Sequence, residues 1–231
     1  PRDLAVIRGV LLDALGTLVQ LEPPAPRLQA SLADRLGVAA SLDRCHAAMQ
    51  AEMRHYGANC MRARDAASLA VLRLECADVL ADALAAGPNG ADLLPCLTDA
   101  ISFTAFPDAA PALAALAASG RRLAVVSNWD VSLPPVLARL GLAEHLEAVV
   151  HSAGAGAAKP DPRPFELALR CLELAADACV HVGDDAVNDG EGARAAGIEP
   201  ILVDRPGNGG PERRVRSLLD VPGAIELLEA A

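Results

Sequence analysis

The chain is poor in aromatic residues, with three Phe, one Tyr and one Trp among 231. That shortage removes the platforms on which unpaired bases stack, and a formal net charge of −10 opposes a phosphate backbone, so nucleic acid is excluded as a partner. Cysteine pairing is also missing. Cys45, Cys60, Cys76, Cys96, Cys171 and Cys179 form no CxxC and no Cys/His metal spacing, which points to reduced, buried thiols. Nor is there a long apolar run: the N-terminal one is broken by Arg8 and Asp13, is too short to span a bilayer, and lacks a signal-peptide cleavage pattern. A soluble, cytoplasmic protein without a membrane partner is expected. Lysine is the scarcest charged residue: all but one of the 20 Lys and Arg residues are Arg, and Lys159 stands alone.

What remains is 52% hydrophobic and built from Ala, Leu and Val, in a chain long enough for a core domain with an insert. Short runs rich in Val, Ile and Leu, at about 6–12, 123–127, 147–151, 178–182 and 200–203, do not alternate with polar residues. Helical patterns separate the last four, so the runs predict a parallel sheet with crossover helices. The first two runs are far apart. Between them, apolar residues follow helical spacing (Leu28, Leu32, Leu36; Ala66, Leu69, Leu72, Cys76, Val79, Leu80), and so long a connection must carry a small helical domain of its own. Pro23, Pro24 and Pro26 mark its entry; Phe106-Pro107-Asp108 marks its exit, with Asp108 placed to cap the next helix. The fold class expected is α/β: a Rossmann-like, doubly wound parallel sheet over residues 1–19 and 103–231, with a small all-helical domain over 20–102.

Ligands of open parallel sheets bind beyond the carboxyl ends of the strands, and the chemistry-bearing residues fall there. Asp13 ends the first run, and Gly16 and Thr17 supply a turn and a hydroxyl beside it. Ser127 and Asn128 end the second. Lys159 lies in the loop GAGAAKPDPRPF, a compact ammonium in a chain that otherwise uses Arg. The fourth run ends in VHVGDDAVND, where Asp184, Asp185 and Asp189 crowd one turn. Such carboxylates repel unless a cation joins them, and oxygen donors alone suit Mg²⁺. Each element singly is also what a turn cap, an ordinary strand end or a solvated acidic turn would look like; their order and placement together are far more specific.

Taken together, these elements resemble the haloacid dehalogenase superfamily over nearly the whole chain. Asp13–Thr17 is similar to its first motif, Ser127 to its second, Lys159 to its third and Asp184–Asp189 to its fourth; the helical insert resembles that family's cap. The resemblance implies an aspartyl-phosphate on Asp13. It further implies Ser127 and Lys159 as catalytic partners, Thr17 and Asn128 against the substrate, and Mg²⁺ on Asp13, the Leu15 carbonyl and Asp184, with Asp185 or Asp189 directly or through water. The substrate implied is a small phosphorylated molecule. Leu15 departs from the pattern, since the family's phosphatases carry there a second Asp that moves the leaving-group proton. A 2-haloacid dehalogenase-type hydrolase and a low-turnover metabolite-binding protein stay open beside the phosphatase. A Schiff-base phosphonate hydrolase does not, because it needs a lysine in the cap. Arg27, Arg54, His55, Tyr56, Arg62 and Arg64 are the insert residues considered for facing a substrate.

Overall fold

The computed structural model describes residues 6–85, 87–207, 209–210 and 213–230. The chain divides into two compact units, Leu21–Thr104 and the residues up to Gln20 together with those from Ala105 onward.

The second of these units is built on a parallel sheet. Its strands are β1 (Gly9–Leu12), β4 (Arg122–Ser127), β5 (Ala148–His151), β6 (Cys179–Gly183), β7 (Glu199–Val203) and β8 (Arg214–Val215). They lie in the order β5-β4-β1-β6-β7-β8, every neighbouring pair parallel. Five of them coincide with the apolar runs; β8 is too short to leave such a run. A separate two-stranded sheet joins β2 (Val19–Leu21) and β3 (Phe103–Ala105).

The topology decides where chemistry can happen. From β1 the chain builds outward through β4 and β5, then returns to the far side of β1 for β6, β7 and β8. The reversal makes β4, β1 and β6 the three central neighbours, and their carboxyl ends meet at a switch point of the kind where α/β sheets bind ligands. Register brings Leu12 opposite both Val125 and Val182, so the residues after these three strands emerge level with one another.

Helices α1 (Pro24–Leu36), α2 (Leu42–Asn59), α3 (Ala66–Leu84) and α4 (Gly90–Ala100) form the helical unit. The ends follow local chemistry. Gly37 closes α1 in the left-handed region at φ 65°, Ser41 caps α2, Asp65 and Ser68 form a reciprocal capping box on α3, and Asn89 caps α4. Leu28, Leu32, Cys45, Met49, Leu72, Cys76, Leu80, Leu93 and Cys96 are buried, whereas Leu36, at the end of its predicted stripe, is exposed.

Around the sheet lie α5 (Ala109–Ala118), α6 (Leu133–Arg139), α7 (Ser152–Ala155), α8 (Arg163–Leu172), α9 (Gly192–Ala195) and α10 (Val221–Glu229). Helix α8 packs Phe165, Ala168 and Leu172 against Leu11, Ala124 and Val126 of the central strands. Full burial of a side chain such as Phe165 stabilises the fold by about 1.5–3 kcal/mol. Asp108 sits at the start of α5 as expected, but its carboxylate does not cap that helix. It accepts from Arg205, Ser217 and the Leu218 N–H instead, because a guanidinium and a hydroxyl outcompete a single backbone donor. The six cysteines are free, with Cys171 alone exposed. Among the described residues no helix is long and apolar enough to cross a membrane.

Candidate active site

Asp13 follows β1 directly, and its N–H still donates to the Val182 carbonyl at 2.8 Å, so the sheet ladder fixes its Cα before the chain turns away. The turn requires glycine at position 16: φ is +86°, and a Cβ there would run into the Asp184 carboxylate. Gly183 answers to the same logic, since a Cβ on it would occupy the place of the Asp189 carboxylate. Two missing side chains therefore let two carboxylates fold back toward Asp13.

Lys159 reaches the cluster from the loop after α7. Its Nζ donates to Asp13 Oδ1 at 2.6 Å, to Asp189 Oδ1 at 2.6 Å and to the Val126 carbonyl at 2.9 Å. Three acceptors match the three N–H bonds of an ammonium, a fit that a planar guanidinium cannot reproduce. The residue is 4% exposed. Asn128 holds the loop: its Nδ2 donates to the Lys159 carbonyl at 2.9 Å and its Oδ1 accepts from the Lys159 N–H at 2.7 Å. Ser127, also buried, acts to lower the Asp13 pKa.

Carboxylate oxygens of Asp13, Asp184 and Asp189 all lie within 4.8 Å of one another. Burial raises the Asp13 carboxyl above its ordinary value, and the charge of Asp189 adds to this, against the opposing pull of Lys159. Asp184 is pushed up to about 6, first by the protein that displaces water around it and then by the charges of Asp13 and Asp189. For Asp189, burial acts upward too, but the His181 hydrogen bond and Lys159 outweigh it and hold the carboxyl well below the usual carboxylate range. Burial acts against the Lys159 ammonium, yet the two carboxylates it touches raise its pKa. With all three acids ionised, three negative charges meet one positive charge, and two remain uncompensated.

Several expected residues take other places. Asp185 does not join the cluster: its Oδ1 accepts from the Val187 and Asn188 N–H groups at 2.9 and 2.7 Å, capping the one-turn π-type helix Ala186–Glu191. Free N–H groups at a helix start are the nearest donors to that carboxylate, and they turn it away. Asn128, expected against the substrate, spends its amide on the Lys159 backbone. The Thr17 hydroxyl is enclosed and has no hydrogen-bond partner within the protein. Leu15 is 46% exposed at the carboxyl edge. Within the helical unit, Arg27 bonds the Asp99 carbonyl, Arg62 and His55 pair with Glu75, and Arg64 bonds the Met61 carbonyl; these contacts are internal to that unit. The residue that sequence reasoning missed is His181, whose Nε2 lies 2.9 Å from Asp189 Oδ1.

Residues 7–197 match the family model for haloacid dehalogenase-like hydrolases. The chain is 46% identical to haloacid dehalogenase-like hydrolase domain-containing protein 3 of Homo sapiens over 87 residues, 38% of this chain and 35% of that protein. It is 44% identical over 107 residues to a plasmid-encoded phosphoglycolate phosphatase of Cupriavidus necator, 46% of each chain. Alignment thus spans roughly a third to a half of the length of these curated relatives. L-2-haloacid dehalogenase of Xanthobacter autotrophicus shares the fold, with a TM-score of 0.69 at 22% identity over 96% of this chain and 99% of that one.

Proposed function

Because the chain belongs to the haloacid dehalogenase-like hydrolase family, we propose that it hydrolyses a small phosphorylated metabolite through an aspartyl-phosphate on Asp13. Mg²⁺ is the cofactor in this reading, and the usual acid at position 15 is replaced by Leu15. The observation that carries the reading is the single buried ammonium set against three converging carboxylates. Phosphoryl transfer asks chiefly for positioning and charge neutralisation, which such a cluster is suited to supply.

The donor set fits a hard divalent cation: carboxylate oxygens only, gathered closely, with excess negative charge. Asp13, the Leu15 carbonyl and Asp184 would hold it, with Asp189 directly or through water, and Asp185 is left out. Mg²⁺ supplies positive charge to the phosphoryl oxygens and keeps Asp13 ionised. An Asp13 oxygen attacks phosphorus while the bond to the leaving oxygen breaks and that oxygen keeps the electron pair. Lys159 and Ser127 offset the charge on Asp13 and on the transferring group. Water then attacks the phosphorus of the acyl phosphate, releasing inorganic phosphate and restoring Asp13. Leu15 can neither give nor take a proton, so the favoured leaving groups are those that depart unprotonated, as from acyl phosphates or nitrophenyl phosphate. The unit Leu21–Thr104 is assigned the substrate-selecting role of the family's cap.

A second reading, 2-haloacid dehalogenation on the same Asp13, rests on Leu15, which breaks the phosphatase pattern. The test is a panel of p-nitrophenyl phosphate, acetyl phosphate, alkyl phosphates and 2-chloropropionate, with and without Mg²⁺, run on the parent and on Asp13→Asn. Phosphate release that needs Mg²⁺ and vanishes in Asp13→Asn, a near-isosteric poor nucleophile, is expected. Chloride release without metal would replace the proposal by the second reading, and turnover surviving in Asp13→Asn would remove the covalent route.

A further inference from the structure

His181 is a buried titratable residue that the proposed reaction does not use. It lies mid-strand on β6 and is fully enclosed. Its Nδ1 is enclosed without a partner. The other nitrogen, Nε2, meets Asp189 Oδ1 at 2.9 Å, and the Phe165 ring stands edge-on to the imidazole at a centroid distance of 4.9 Å, which fixes the ring plane. Side chains two apart on a strand share a face, so Gly183 lies on the same face as His181. Its missing Cβ is what lets Asp189 fold back over the strand to reach the imidazole.

We propose that His181 is a positioning residue: through an Nε2–H bond it orients Asp189 so that Lys159 is held between Asp189 and Asp13. An ionised carboxylate only accepts, so the ring nitrogen facing Asp189, Nε2, must carry a proton. Asp189 Oδ1 then accepts from both Lys159 and His181, while Oδ2 accepts from the Asp185 N–H at 3.0 Å. Three donors from three separate segments fix the carboxylate's rotation. Without His181, Oδ1 has only the ammonium, and Lys159 can follow Asp189 away from Asp13. A residue that served packing alone could be replaced by leucine without disturbing the Lys159 ammonium.

That difference sets the experiment. Lys159 is the sole lysine, so protein grown on ¹⁵N-lysine gives a single side-chain Nζ resonance, which is read alongside ¹⁵N-histidine ring spectra and p-nitrophenyl phosphate kinetics. His181→Leu is expected to melt below the parent, because the buried Asp189 carboxylate loses a donor, to shift the Nζ resonance and speed its hydrogen exchange, and to lose about tenfold or more in kcat at little-changed KM, the loss expected when a positioning hydrogen bond of roughly 1.4 kcal/mol is removed. His181→Gln, which returns an N–H to Asp189, recovers most of both signals. An unchanged Nζ resonance in His181→Leu overturns the proposal. So does a parent His181 ring protonated on Nδ1 rather than Nε2, a measurement that requires no variant to fold. The kinetic arm rests on the phosphatase reading. A shifted Nζ with no change in kcat would support the positioning and count against Lys159 as a catalytic group.

Discussion

Replacing Lys159 by methionine keeps an unbranched apolar stem of similar bulk, one atom shorter, and removes the terminal ammonium with its charge and three hydrogen bonds. What remains is two nearly fully buried carboxylates, Asp13 and Asp189, that shared one ammonium at 2.6 Å each. Removing one partner of a buried ion pair costs about 3–5 kcal/mol. In a chain of this length 1 kcal/mol corresponds to about 2–4 °C in Tm, so the core unit should melt about 6–20 °C lower. The loss must depend on pH. Without the ammonium, Asp13, which burial already raises, loses the pull that opposed it, and an acid whose folded pKa lies above its unfolded value of about 3.9 takes up a proton on folding. Its destabilisation is absent below the unfolded pKa and develops as pH rises through the folded one. The gap between parent and variant should therefore be wider at pH 7.5 than at pH 4.5, and Mg²⁺ should narrow it at pH 7.5 by restoring positive charge. Circular dichroism melts at the two pH values, with and without MgCl₂, measure this. A variant that melts with the parent at pH 7.5, or a deficit equal at both pH values, would show that the ammonium does not hold these carboxylates together.

Three other perturbations address separate links. Leu15→Asp should raise the rate with an alkyl phosphate by about 10²–10⁴-fold, the usual worth of a general acid/base; steady-state phosphate release checks it, and a parent already fast on alkyl phosphates with no gain would place the proton transfer elsewhere. Gly16→Ala should abolish that activity and weaken Mg²⁺ binding at least tenfold by calorimetry, because the new Cβ displaces Asp184 and the left-handed backbone costs a further 1–2 kcal/mol or so; a variant with parental affinity would contradict the close approach. Glu52 is buried in the helical unit, and burial raises its carboxyl against the opposing effects of Cys76 and His55. Glu52→Gln should accordingly be more stable than the parent at pH 7.5, with the advantage closing toward pH 4, as urea titrations at the two pH values would reveal.

The sequence is easiest to read where backbone and chemistry coincide. Asp13, Ser127 and Asp184 could be placed because apolar runs end at them, and parallel topology puts such ends side by side. Lys159 was visible through rarity alone, since nothing in its loop's pattern says which strand it returns to; that is decided by Asn128, whose amide spans 31 positions of sequence to hold it. Asp184, Asp185 and Asp189 are indistinguishable by composition. They were separated by helix geometry, which gave Asp185 the nearest free N–H groups, and by Gly183, which opened a path for Asp189. His181 was hidden for the opposite reason. Within CVHVG it reads as one more buried strand position, and its partner is defined only once the turn after β6 folds back.

The solitary lysine also gives the native protein an unusual chemical surface. With Lys159, the sole lysine, enclosed, the folded chain offers no ε-amine to acylating or crosslinking reagents, nor to enzymes that conjugate or acetylate lysine. A lysine adduct can form only in molecules whose carboxylate cluster has come apart, so the yield of such adducts against time would count openings of that cluster one molecule at a time.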